Sequence, residues 1–135
     1  MLPPASNKSL LKHVTLIGMA GVGKSTIGRI VARQMNTDLH DSDNDIELKC
    51  QASIAEIFAR HGEEYFRTQE YETIASYFDG PPAIIATGGG AWIQPQLRAL
   101  CQDHALNIWL KADIETLWEN TKNRTHRPLL QGENP

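Results

Sequence analysis

The sequence predicts a three-layer α/β fold in which helices flank a central parallel sheet on both faces. Three observations carry the prediction. Short runs that read as strands recur near residues 13–17, 37–40, 83–86 and 106–110, and segments of helical spacing separate them. The first run passes directly into a glycine-rich loop and then a helix. Strands joined by helices lie parallel, and parallel sheets place ligand sites at the carboxyl ends of their strands.

Taken in order, residues 1–12 are polar and contain proline, and read as a flexible leader to a single domain over 13–135. His13-Val14-Thr15-Leu16-Ile17 is short, apolar and partly β-branched, as a buried strand should be. The loop that follows, Gly18-Met19-Ala20-Gly21-Val22-Gly23-Lys24-Ser25-Thr26, fits the pattern Gly, four residues, Gly-Lys-Ser/Thr. Its glycines let backbone N–H groups curl around a polyphosphate. Lys24 brings a point charge to the outer phosphates, and the Ser25 hydroxyl suits Mg²⁺. Gly21, Val22, Gly23, Lys24, Ser25 and Thr26 are therefore candidate ligands of a nucleotide such as ATP with its Mg²⁺. Ile27, Ile30, Val31 and Met35 then recur at helical spacing, and Asn36 can end the helix.

A short second strand is expected at Thr37-Asp38-Leu39-His40, leading into Asp41-Ser42-Asp43-Asn44-Asp45. This acidic run begins like a calcium-binding loop but fails that pattern, with Ile46 in place of the sixth-position glycine and Ala52 in place of the twelfth-position glutamate. Two readings stay open. The run caps a helix over Ile46–Cys50, or one carboxylate holds a metal's water shell while another takes the proton of an attacking hydroxyl.

Ser53-Ile54-Ala55-Glu56 is a capping-box pattern, and Ile54, Ile57 and Phe58 form the apolar face of the helix it starts. Gly62 separates that helix from a second, which carries Phe66, Thr73, Ile74, Tyr77 and Phe78 on one side. Arg67 reads either as a surface arginine with acidic neighbours in its helix or as a planar fork for a substrate carboxylate. Asp79-Gly80-Pro81-Pro82 is a turn, and Ala83–Ala86 a central strand. Gly88-Gly89-Gly90 is a flexible turn or a place where a ligand approaches the backbone. Pro95 suits the first position of a short helix through Leu100. Leu106–Leu110 is the last strand, and a helix starts near Asp113. Arg127 reads as part of an exposed basic loop or as a mobile arginine closing over the transferring phosphoryl.

Bulk properties narrow the function classes. A length of 135 residues suits one domain, and a net charge of −3 gives no support for nucleic-acid binding. No apolar run approaches the ~20 residues of a membrane span, and the N-terminus lacks a signal-peptide core. Cys50 and Cys101 belong to no metal or redox pattern and read as buried thiols. The expected location is the cytoplasm, and the five histidines show no ligand spacing.

These residues together resemble the shikimate kinase family. The matching set is Gly18–Thr26, Asp41-Ser42-Asp43, Ile46-Glu47, Ser53–Phe58, Gly62-Glu63, Phe66-Arg67 with Glu70, Thr87–Gly90 and Arg127-Pro128-Leu129-Leu130. The phosphate loop alone marks only a superfamily, whereas the ordered set spans about residues 13–130. The resemblance implies a nucleoside-monophosphate-kinase-like P-loop fold and ATP-dependent phosphorylation of the shikimate 3-hydroxyl, on the route to aromatic amino acids. It implies that Lys24 and the loop hold the phosphates, and that Ser25 and Asp41 serve Mg²⁺. Asp43 would bind substrate hydroxyls and act as base. Arg67, Gly88, Gly89 and Gly90 would bind shikimate, with Glu70 orienting Arg67. Arg127 would be a catalytic lid arginine beside the nucleotide.

Members of that family continue past the Arg-Pro-Leu-Leu lid, where they carry a further edge strand, a C-terminal helix and a second substrate-binding arginine. The resemblance thus implies a chain short of these parts, with impaired turnover. The strand at 106–110 would become an edge through which an otherwise monomeric chain self-associates. Two other functions remain open. One is a kinase for another carboxylated polyol of the gluconate type. The other is a non-catalytic nucleotide-binding module.

Overall fold

The computed structural model of the chain describes residues 10–18 and 23–111. Its elements are β1 (His13–Ile17), α1 (Lys24–Gln34), β2 (Leu39–Asp41), α2 (Ser42–Cys50), α3 (Ile54–Tyr77), β3 (Ile84–Ala86), a 3-10 turn (Ala91–Ile93), α4 (Pro95–His104) and β4 (Ala105–Trp109). The four strands form one sheet in the order β2-β3-β1-β4, every pair parallel.

The alternation of side chains across β1 and β3 sorts the core into layers. Val14, Leu16 and Ile84 meet Ala32 of α1, with Val31 and Leu39 beside them. Ile85 joins Ile74 and Tyr77 of α3 and Leu97 and Cys101 of α4 in a separate cluster. A third cluster, Ile46, Ile57 and Phe66, binds α2 to α3. The predicted three-layer arrangement is therefore present.

Several boundaries move. α1 buries Gly28 and Ala32, whereas Ile27 and Ile30 of the expected apolar set are exposed. The reason is close packing: a Cβ on Gly28 would lie 2.8 Å from Leu39 Cδ1 and 3.4 Å from Leu16 Cδ1. Asn36, at φ 54, follows the end of the helix as predicted. β2 begins at Leu39, because Thr37 instead turns its hydroxyl to the Pro82 carbonyl at 2.8 Å. α2 starts at Ser42 rather than at Ile46, which places Asp43 and Asp45 in its first turn. α4 continues past Leu100 to His104, so that Cys101 adds a further turn to the face already made by Leu97.

α3 has the predicted capping box, with Glu56 N donating to Ser53 Oγ and Ser53 N to Glu56 Oε1. Gly62 breaks it at φ 86, ψ 172, as its sequence position implied. At the leader's end Leu10 is half-buried against the Val14–Leu16 cluster. β4 is the terminal strand among the described residues, with Leu106, Ile108 and Trp109 exposed. Cys101 is buried and Cys50 half-buried, both as free thiols. The expected helix near Asp113 lies outside the described residues.

Candidate functional site

β1 delivers the chain to Gly18 at the carboxyl edge of the sheet, and α1 leaves from Gly23. Gly23 adopts φ 98, a left-handed conformation that glycine reaches without strain. It supplies no side-chain cap, and the first turn of α1 has no acid. Asp41 caps α2 and Ser53 caps α3, each with acids in the first turn, whereas α1, like α4, starts without either. The start of α1 thus leaves its positive end for an anion from outside the chain. Lys24 is buried, and its Nζ donates to the Gly18 carbonyl, so the ammonium is tied to the carboxyl end of β1. Gly21 and Val22 lie outside the described residues, while Thr26 sits exposed in the first turn of α1.

Asp41 does two things. Its Oδ1 accepts the Asn44 N–H at 3.2 Å and caps α2. Its Oδ2 accepts the Ser25 hydroxyl at 2.8 Å, although sixteen positions separate the two residues. The capping reading holds for Asp41 alone: the rest of the acidic run is not a turn before a helix at Ile46 but the first turn of α2 itself. A hydroxyl and a carboxylate oxygen side by side are hard donors of the kind Mg²⁺ takes. No group of three or more His, Cys, Asp or Glu capable of holding a metal occurs among the described residues.

The other half of the site is built on the loop after β3. Thr87 ties this loop to β1 twice, its N–H and its hydroxyl both donating to the Leu16 carbonyl. A Cβ on Gly88 would lie 2.6 Å from Asp43 Oδ1 and 3.1 Å from Glu70 Oε2. A Cβ on Gly90 would lie 2.6 Å from Arg67 Nη2. These two glycines are the condition for α2 and α3 to bring an acid and a base against the loop. At Gly88 and Gly90 the close approach is made by the chain's own side chains, Asp43, Glu70 and Arg67.

Arg67 is held by two acids: Glu63, one of the neighbours its helical segment suggested, and Glu70, the partner the resemblance implied, in place of Glu64. Its Nη1 donates to Glu70 Oε1 at 2.9 Å and its Nε to Glu63 Oε2 at 3.3 Å. Glu70 has no exposed surface. Burial pushes its carboxyl above the usual carboxylate range, against the opposing pull of Arg67 and of a hydrogen bond from Gln94. Gly89 is exposed and opens a cleft of about 440 Å³ that it shares with Gly18, Ile17, Trp92, Ile93, Arg98 and Trp109. The cleft touches the end of β1 at Gly18 and the glycine loop at Gly89 and is otherwise walled by the 3-10 turn, α4 and β4; Lys24, Ser25, Asp41, Asp43 and Arg67 do not line it. Arg127 lies outside the described residues.

The contacts of two residues, Tyr77 and Gln94, escaped the sequence reading. The Tyr77 hydroxyl donates to Asp45 Oδ2, and its ring stacks on His40 at 4.3 Å and 4°. Burial, then Asp45, raise the Tyr77 hydroxyl's pKa. This commits Asp45 Oδ2 to Tyr77; a buried tyrosine needs such a partner, which was the available signal. Gln94 donates to Glu70 Oε1 at 3.0 Å and to the Arg67 carbonyl at 3.3 Å. Its only sequence signal is a glutamine, a poor N-cap, just before Pro95.

Comparison with known proteins agrees with this geometry. The shikimate kinase family model matches residues 20–135. The shikimate kinase of Zymomonas mobilis is 50% identical over 121 residues, covering 90% of this chain and 69% of that protein. That of Caulobacter vibrioides is 43% identical over 124 residues, covering 92% of this chain and 62% of that protein. The chain therefore spans only part of the length of these relatives. Among solved structures, shikimate kinase from Acinetobacter baumannii in complex with shikimate superposes with a TM-score of 0.90 at 35% identity, covering 98% of this chain and 74% of that one. A gluconokinase from Sinorhizobium meliloti, at 13% identity and a TM-score of 0.52, shares the fold alone. The phosphate loop, the Ser25–Asp41 pair and the Arg67–glycine loop contact, together with a family match over most of its length, show that this chain belongs to the shikimate kinase family.

Proposed function

We propose that this chain transfers the γ-phosphoryl group of ATP to the 3-hydroxyl of shikimate. The observation that carries the reading is the placement of Arg67 against Gly90 with Asp43 beside Gly88: a cation for a carboxylate and a carboxylate for a hydroxyl, on one loop. The shikimate complex of the Acinetobacter baumannii relative supports the same substrate.

In this reading Lys24 and the start of α1 hold the outer phosphates, Ser25 and Asp41 hold the metal, and Arg127 approaches the nucleotide. A Mg²⁺ ion held there by Ser25 and Asp41 would neutralise charge on the phosphate oxygens. Arg67 fixes the substrate carboxylate through a planar fork that Glu63 and Glu70 keep in place. Gly88, Gly89 and Gly90 let the substrate lie against the backbone. Asp43 orients the hydroxyl and accepts its proton as the hydroxyl oxygen bonds to the γ-phosphorus. The bond from that phosphorus to its bridging oxygen breaks, and ADP leaves.

Arg67→Ala tests the substrate half separately from the nucleotide half. Loss of a hydrogen bond to a charged group costs about 1.5–3 kcal/mol. The shikimate KM should accordingly rise about 10- to 100-fold, with the ATP KM within about twofold. Equal rises in both constants would remove Arg67 from the shikimate site.

A further inference from the structure

Gln94 stands between the 3-10 turn and α4, at the N-cap position of that helix. Its side chain caps nothing there. It turns instead across the glycine loop to α3, where one amide nitrogen meets two acceptors, Glu70 Oε1 and the Arg67 carbonyl. Both partners are acceptors, so the side-chain orientation that presents Nε2 is the one that satisfies them; the flipped amide would set an oxygen against a carboxylate.

The consequences fall on Arg67 from two directions. Glu70 Oε1 is the same oxygen that receives Arg67 Nη1, so Gln94 fixes the carboxylate that fixes the guanidinium. The Arg67 carbonyl is the backbone from which that side chain springs. Gln94 also belongs to the glycine loop: its own N–H donates to the Ala91 carbonyl, and the Ala91 N–H donates to that of Gly88. A single side chain therefore joins the loop at 88–90 to the arginine whose Nη2 lies against Gly90. The burial of Glu70 adds weight, since a carboxylate with no exposed surface needs its few donors to stay ionised.

We propose that Gln94 is a positioning residue for the carboxylate-binding end of the site, setting the angle of Arg67 and its distance from the glycine loop through Glu70. The inference rests on the proposed shikimate site, and it acts only on substrate binding.

The test is Gln94→Leu, which keeps the side-chain bulk and removes the donors. The start of α4 is unaffected by the change because Gln94 does not cap it. The shikimate KM should rise about tenfold, while kcat and the ATP KM stay within about twofold of the parent. A parallel rise in both KM values with a lowered melting temperature would mean a merely structural role and overturn the proposal. So would an unchanged shikimate KM. A second readout needs no substrate: exchange with water of the Arg67 Nη–H protons, through which Glu70 holds the guanidinium, followed by ¹⁵N NMR, should quicken in Gln94→Leu. If the parent protein binds no shikimate, the functional reading fails. The positioning role is then decided by this exchange rate alone, and an unchanged rate overturns it.

Discussion

The two carboxylate oxygens of Glu70 have different surroundings. Oε1 accepts from Arg67 and Gln94, whereas Oε2 is buried beside Gly88 with no hydrogen-bond partner among the described residues. Burial dominates, and the folded carboxyl holds its proton to a higher pH than an unfolded one. The sign for stability follows. Between the unfolded value of about 4.3 and the raised folded value, the folded chain binds more protons than the unfolded chain. This contribution is therefore fully present below the unfolded value and is lost as pH rises through the folded one. In urea titrations from about pH 4 to 8, the stability of the parent relative to Glu70→Gln should fall with rising pH. A difference that is flat or grows with pH would contradict this. The same buried charge acts on its neighbour: burial, with Glu70 in second place, pushes the Cys101 thiol up to about 12 and keeps it protonated.

At the scale of elements, the break in α3 makes a sharp prediction. A Cβ on Gly62 would meet nothing within 4 Å, yet the residue's φ of 86 and ψ of 172 belong to a region open essentially to glycine. Gly62→Ala should cost about 1–3 kcal/mol in chemical denaturation through backbone strain alone. Unchanged or higher stability would show that the break is not required. The break itself was legible, because a glycine followed a capped helical segment. The inward face of α1 was not. Hydrophobic spacing pointed to Ile27 and Ile30, whereas the contact is made by Gly28 and Ala32. Where a helix lies this close to a sheet, small residues make the nearest contact, and of the expected large apolar residues Val31 packs beside them while Ile27 and Ile30 do not. The start of α2 was obscured in a similar way: its first turn is acidic, which reads as a loop but suits a helix N-terminus.

At the scale of the molecule, the sequence disclosed the strand–loop–helix units and hence the parallel sheet, because each unit is local. It also disclosed that the phosphate loop, the aspartates and the triple glycine meet, because parallel strands share a carboxyl edge. The register of that meeting was hidden. Ser25 and Asp41 touch across β1 and β2, strands that are separated in the sheet by β3. Gln94 reaches Glu70 across twenty-four positions. Neither contact has a local signature, and the second decides how Arg67 stands. The central claim joins the two halves: the phosphate end and the carboxylate end serve one reaction. Its most direct test is ³¹P NMR of the chain with Mg²⁺, ATP and shikimate. ADP and shikimate 3-phosphate should appear in equal amounts, at a rate that saturates with shikimate and is abolished by Lys24→Met. ATP binding without any shikimate-dependent phosphate ester would contradict the account.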